Sequence, residues 1–225
     1  MSPFGPRVAL VSACLLWGLH APDVRSQTDA GRPHYTQADW AMLPKWCIDS
    51  QDGLFGGPLY RDEYPNGRNQ SPRADYWTSI FGRDFWHLHH YCRALYAEGR
   101  LQRGNLDPKQ RIATINKVIN EYRYVIDQSK PTMRLMPEIY YRLGLMYLRK
   151  TDRVAAAEAF LEARRLKPDY WPAYSAWAEE LIRLRMLDEA RALVQEGLKH
   201  SPDEPRLKDL LENLGADGHR KPAPG

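Results

Sequence analysis

The sequence predicts an all-α protein built as a stack of antiparallel helix hairpins behind an irregular N-terminal module. Three observations carry this expectation. The C-terminal third matches itself at a spacing of 34 residues: Tyr140, Leu143, Gly144, Tyr147, Ala156, Phe160, Ala163 and Pro168 recur as Tyr174, Trp177, Ala178, Leu181, Ala190, Val194, Gly197 and Pro202. Each block ends on a proline, which stops a helix at the residue before it. Upstream, residues 34–82 have no such period and are dense in Gly, Pro, Asp and Asn.

The chain opens on an expected export signal. Met1–Arg7 carries one basic residue, and Val8–Ala21 is largely apolar but too short to span a membrane. The small-residue pattern Val24-Arg25-Ser26 predicts cleavage before Gln27, making residues 1–26 a signal peptide. Pro22 disfavours a cut after Ala21. Val11-Ser12-Ala13-Cys14 also fits a lipobox, which would leave Cys14 as a lipidated first residue. Only six residues separate Arg7 from Cys14, a short apolar core for that route. The expected location is exported, periplasmic or envelope-associated.

The full chain carries 32 Lys and Arg against 28 Asp and Glu; loss of residues 1–26 removes Arg7, Arg25 and Asp23 and leaves 30 against 27. That balance is too weak and too interspersed to predict nucleic-acid binding. No second long apolar run suggests a membrane span. Cys47 and Cys92 survive the cut, and an even count in an exported chain predicts a disulfide. It would tie the irregular module, residues 27–82, to the helices. The aromatic residues Phe55, Tyr60, Tyr64, Tyr76 and Trp77 predict that part of this module packs on them as well. A short helix over Thr36–Leu43 should stop at Pro44.

The segment FGRDFWHLHHYCRALY crowds His87, His89, His90 and Cys92 into six positions. On a helix, His89 and Cys92 share one face, and His87 and His90 share another. A metal or haem-like site would therefore need His89, Cys92 and Cys47, or His87 and His90 with a loop carboxylate. A Cys92–His89 nucleophile pair is a further alternative, but a mid-helix thiol lacks the amides that lower its pKa. Neither C-x-x-C-H, C-x-x-C nor H-E-x-x-H is present. No cofactor is expected on the disulfide reading.

Residues 83–136 predict a non-standard hairpin: a helix over Asp84–Leu101, then one from Pro108 with Asp107 as its N-cap. Ile112, Ile115, Val118, Ile119, Tyr122, Val125 and Ile126 fall at helical spacing on the second. Residues 137–170 and 171–204 are the two regular units. Small residues at 144, 156 and 163 allow backbones to approach closely, and Tyr140, Tyr147 and Phe160 fill the space between hairpins. Residues 205–215 predict a closing helix with Leu207, Leu210, Leu211 and Leu214 inward. Residues 216–225 are expected to be a disordered tail.

The 34-residue pattern, Y-x-x-L-G-x-x-Y, A-x-x-x-F and a closing proline, resembles the tetratricopeptide repeat. The combination of Leu43, Pro44, Trp46 and Cys47 with His87, His89, His90, Tyr91 and Cys92 is similar to a signature of uncharacterised exported bacterial tetratricopeptide proteins. The resemblance implies a solenoid whose first helices line a concave groove. That groove would include Tyr141, Arg142, Leu145, Leu148 and Arg149, with Glu138 beside them. The next unit would add Glu179, Ile182 and Arg183, with Ser175. An ordinary solvated face is the alternative. The lysine and asparagine set of chaperone-tail clamps is lacking at these positions. The expected function is non-catalytic capture of a protein segment, with the arginines steering acidic partners. The alternative is a metal- or haem-associated protein using the His87–Cys92 cluster.

Overall fold

The computed structural model describes residues 35–50 and 72–218. The expected signal peptide, the Cys14 lipobox, residues 51–71 and residues 219–225 of the expected tail lie outside the described residues, whereas 216–218 of that tail are helical.

All regular structure among the described residues is helical. Helix α1 (Gln37–Met42) opens on a reciprocal cap, in which Thr36 accepts from the Asp39 amide and Asp39 accepts from the Thr36 amide. It ends at extended Leu43, as the following proline requires. Helix α2 (Trp46–Asp49) is a single turn. Helix α3 (Pro72–Phe81) falls in the stretch that the sequence pattern reads as irregular. Ala74, Trp77 and Phe81 lie at helical spacing and pack inward, which a ten-residue helix with many polar positions barely signals. A 3-10 segment (Gly82–His87) then leads into α4 (Leu88–Arg103). The expected single helix from Asp84 is therefore split. No side chain caps α4, and Gly82 turns the chain with φ 67°.

Helix α5 (Pro108–Gln128) starts on the Asp107–Gln110 capping box. Then follow α6 (Met136–Arg149), α7 (Arg153–Leu166), α8 (Trp171–Arg183), α9 (Leu187–His200) and α10 (Pro205–Gly218). Consecutive helices from α4 onward pack on one another. Their short turns make each pair antiparallel. In α6–α7 a Cβ on Gly144 would stand 2.7 Å from the Phe160 ring; in α9–α10 one on Gly197 would stand 2.9 Å from Leu207. Glycine at these two positions lets the helices close.

Helices α4 and α6 run parallel, because Tyr91 meets Glu138 and Glu98, further along, meets Arg142. The C-termini of α4, α6 and α8 therefore gather at one edge, where each chain reversal uses a left-handed residue: Gly104 (φ 79°), Thr151 (φ 61°) and Arg185 (φ 63°). One core joins α1–α6 around Phe85, Leu88, Tyr122 and Ile139; a second joins α8–α10 around Tyr174, Val194 and Leu207. Leu214 belongs to the second, and Leu211 is half-buried beside it.

Candidate functional site

Cys47 and Cys92 form a disulfide, with sulfurs 2.15 Å apart. The bond is fully buried and fixes α2 to the first turns of α4. Side chains complete the attachment. Trp46 packs on Phe81 and Tyr91, at centroid distances of 5.5 Å. Buried Asp49 accepts from Trp77 Nε1 at 2.8 Å and faces Arg73 at 3.2 Å. Asp39 pairs with Arg103 at 3.3 Å. Burial works against the Asp39 charge, but bonds from Thr36 and the nearby Arg103 hold its carboxyl below the usual range.

The pinned segment becomes the rim of a cleft of about 550 Å³. Met42, Leu43 and Pro44 form the rim, Leu95, Tyr96 and Gly99 of α4 form a wall, and Glu138 and Arg142 of α6 close the far side. The floor is a polar network. Tyr122 donates to Glu98 at 2.5 Å and Tyr91 donates to Glu138 at 2.7 Å. Arg142 bridges the two carboxylates, reaching both at 2.9 Å.

Burial raises the Glu98 pKa, partly offset by Arg142 and Tyr122. Burial likewise pushes the Tyr91 and Tyr122 hydroxyls up, so both remain donors at neutral pH. For Arg142, burial opposes the charge, but the surrounding tyrosines and carboxylates outweigh it. The site is thus a preorganised set of donors and acceptors beside an apolar rim. Glu98 and Met42 are not singled out by the sequence, and Leu43, Pro44 and Tyr91 stand out only as parts of a signature, with nothing in it that places them in a cleft. Their signal is long-range: Glu98 and Arg142 are partners 44 positions apart, outside the 34-residue period.

The expected groove residues are distributed unevenly. Arg142 lies in the cleft. Tyr141 packs on Tyr170 at 5.8 Å and Phe160 at 6.2 Å, with Leu145 and Leu148 in the same cluster. Ile182 is half-buried against the α8–α10 core. Glu179 pairs with Arg206, and Arg183 pairs with buried Glu180, which also takes Arg153 at 2.7 Å. Ser175 donates to the Pro172 carbonyl at 3.1 Å. Arg149 is exposed. The paired arginines have part of their charge answered within the chain.

The histidines divide only in part: His87 and His90 share Tyr124, but the His89 and His90 rings also meet, at a centroid distance of 4.2 Å. His87 and His90 both lie against Tyr124, at 6.0 and 3.6 Å, and His90 Nδ1 meets Glu121 at 2.5 Å. His89 is buried, with Nδ1 2.8 Å from the Trp86 carbonyl. The disulfide consumes the sulfurs of Cys47 and Cys92, so neither is a thiolate ligand or nucleophile while the bond stands. Among the described residues, no three His, Cys, Asp or Glu side chains form a metal-holding group. No described helix is long and apolar enough to cross a membrane. No family model matches the chain.

Proposed function

We propose that this chain is an exported, non-catalytic helical-repeat scaffold of the tetratricopeptide type, and that its cleft captures an extended segment of another protein. The observation that carries the reading is the cleft itself: an apolar rim of Met42, Leu43 and Pro44 facing a fully bonded polar floor of Tyr91, Glu98, Glu138 and Arg142. A peptide laid there would bury apolar side chains on the rim and exchange hydrogen bonds with the floor. The repeat reading is supported by the antiparallel pairs, by the parallel run of α4 and α6, and by left-handed turn residues at Thr151 and Arg185, again 34 apart. Export is supported by the buried disulfide, which persists in oxidising compartments.

The test is a random peptide library selected on the wild-type chain and counter-screened on Gly99→Trp. Gly99 lines the cleft, and a Cβ there meets only the Arg103 guanidinium at 3.6 Å, so a side chain can be added at this position, and the indole should occupy the cleft. Selected peptides should lose at least tenfold in affinity for the variant. Peptides that bind both proteins equally would place recognition elsewhere and defeat the cleft reading.

A further inference from the structure

The charges around the cleft do not all find a partner of their own. Asp39 is answered by Arg103 at 3.3 Å, and Glu179 of α8 by Arg206 at 2.6 Å. Glu98 and Glu138 share one guanidinium, that of Arg142. Arg149 acts on Glu98 through space, but it pairs with no carboxylate among the described residues. The floor therefore holds two carboxylates against one bonded cation.

The uncommitted atom is on Glu138. Its Oε1 takes both Tyr91 and Arg142, which leaves Oε2 without a hydrogen bond among the described residues. The side chain is 31% exposed and lines the cleft. Arg142 Nη2 is also unbonded, but the charge of that guanidinium is already divided between two carboxylates. Next to Glu138 stand Tyr141 and Tyr170, whose rings meet edge to face at 5.8 Å. Their hydroxyls make no hydrogen bond among the described residues. Burial raises both hydroxyls. At Tyr170, Glu138 adds more than Arg142 removes; at Tyr141, Arg142 opposes burial while Glu179, Glu98 and Glu138 reinforce it. Several carboxylates thus act on this spot with one guanidinium against them. Lys167 already stands 5.8 Å from the Tyr170 ring centre, so that ring accepts a cation within the chain.

A free carboxylate oxygen beside two tyrosine rings receives a cation well: the carboxylate supplies the charge and the rings their electron-rich faces. We infer that the segment captured in the cleft is read through a lysine or arginine side chain, whose cationic nitrogen binds Glu138 Oε2 beside Tyr141 and Tyr170. The inference rests on the cleft reading and adds the chemical class of its ligand. It differs from the expectation of arginines steering an acidic partner, because Arg142 and Arg183 are both answered by carboxylates of the chain itself.

The experiment uses the full chain and acetylated, amidated peptide pools, so that no terminal charge competes. The central residue is fixed as lysine, glutamine or glutamate, and the other positions are uncharged. The lysine pool should yield the tightest binders. Each of these, remade with acetyl-lysine, should bind the wild-type chain about tenfold more weakly, the loss of one charge-assisted bond. On Glu138→Gln, whose side-chain carbonyl still accepts from Tyr91 and Arg142, that difference should disappear while the acetyl-lysine peptides bind as before. The comparison is a ratio within one protein, so partial unfolding of the variant cancels. Equal binding of lysine and acetyl-lysine peptides to the wild-type chain would overturn the inference without any variant. So would preference for the glutamate pool, or a lysine preference that survives Glu138→Gln. If those peptides still lose affinity on Gly99→Trp, the inference falls and the cleft reading stands. Peptides indifferent to Gly99→Trp overturn both.

Discussion

The N-terminal part, α1–α4, and the paired helices α6–α9 reach the same helical architecture by different means. Helices α6–α9 carry 13 or 14 residues each, with small side chains at the crossings and aromatic ones between. Each element is long enough to present a continuous face to its neighbours. Helices α1 and α2 have six and four residues and cannot persist alone in water. They are held by one covalent bond, two buried carboxylates and an aromatic cluster. Periodic packing builds the array, whereas point attachments build the site on it. Perturbations should therefore act locally in the first region and on helix packing in the second.

The largest effect is expected from the disulfide. Cys47→Ala with Cys92→Ala opens a loop with a sequence separation of 45, which should cost about 4 kcal/mol in the chain-entropy model. Hydrogen exchange should accelerate through residues 37–49 and change little in α6–α9. A uniform acceleration over all helices would erase the contrast between the two regions.

Glycine substitutions come next. Gly144→Leu forces a side chain into the Phe160 ring and should cost about 3 kcal/mol in urea denaturation. Adding Phe160→Ala should return part of that loss, because the two residues share one contact. Gly99→Ala, in α4, should instead stabilise by about 0.5–1 kcal/mol, since it meets only the end of Arg103 and removes a flexible helix position. If Gly144→Leu left the midpoint unchanged, the α6–α7 crossing would be misplaced.

These cases also mark how far the sequence could be read. Gly144, Ala156, Phe160 and Ala163 are legible because a crossing between neighbouring helices repeats with the chain. The Cys47–Cys92 pairing is legible from cysteine count. The cleft is not, because Leu43, Tyr91, Glu98 and Arg142 converge only after α1, α4 and α6 are assembled. A single helix pattern also cannot tell a groove-facing residue from one covered by the next hairpin. Tyr141, Leu145 and Leu148 meet that hairpin through Tyr170 and Trp177. Helix α3 escapes notice because its inward side chains are few.

Two buried carboxylates give the regions opposite pH responses. Glu98 titrates higher in the folded state because burial outweighs Arg142 and Tyr122. The native state then holds its proton while the unfolded chain releases it, so this contribution to stability falls as pH rises above the ordinary glutamate range. Glu180 is also penalised by burial, but Arg183 and Arg153 outweigh that and lower it. Its contribution is present above the unfolded pKa and is lost as pH falls through the folded one. Urea midpoints across pH 3–8, set against those of Glu98→Gln and Glu180→Gln, should therefore diverge in opposite directions. At pH 7, Glu180→Gln should cost about 1 kcal/mol, kept small because both arginines are solvated. Parallel curves for the two variants would remove the distinction.

The smallest effect tests the turns that the two regions share. Gly104 and Thr151 both adopt left-handed backbone at the ends of α4 and α6. Glycine does so without strain, whereas a β-branched residue meets its own carbonyl. Nothing lies within 4 Å of where a Cβ on Gly104 would stand, so only backbone conformation distinguishes the positions. Thr151→Gly should stabilise by about 0.5–1 kcal/mol after the greater freedom of glycine in the unfolded chain is counted, and Gly104→Thr should cost about as much. The double exchange should then restore the wild-type midpoint, because the two turns lie at the ends of different hairpins and share no side-chain contact. A loss of stability on Thr151→Gly would mean that the Thr151 hydroxyl, which donates to the Lys150 carbonyl at 2.6 Å, outweighs the strain of its backbone.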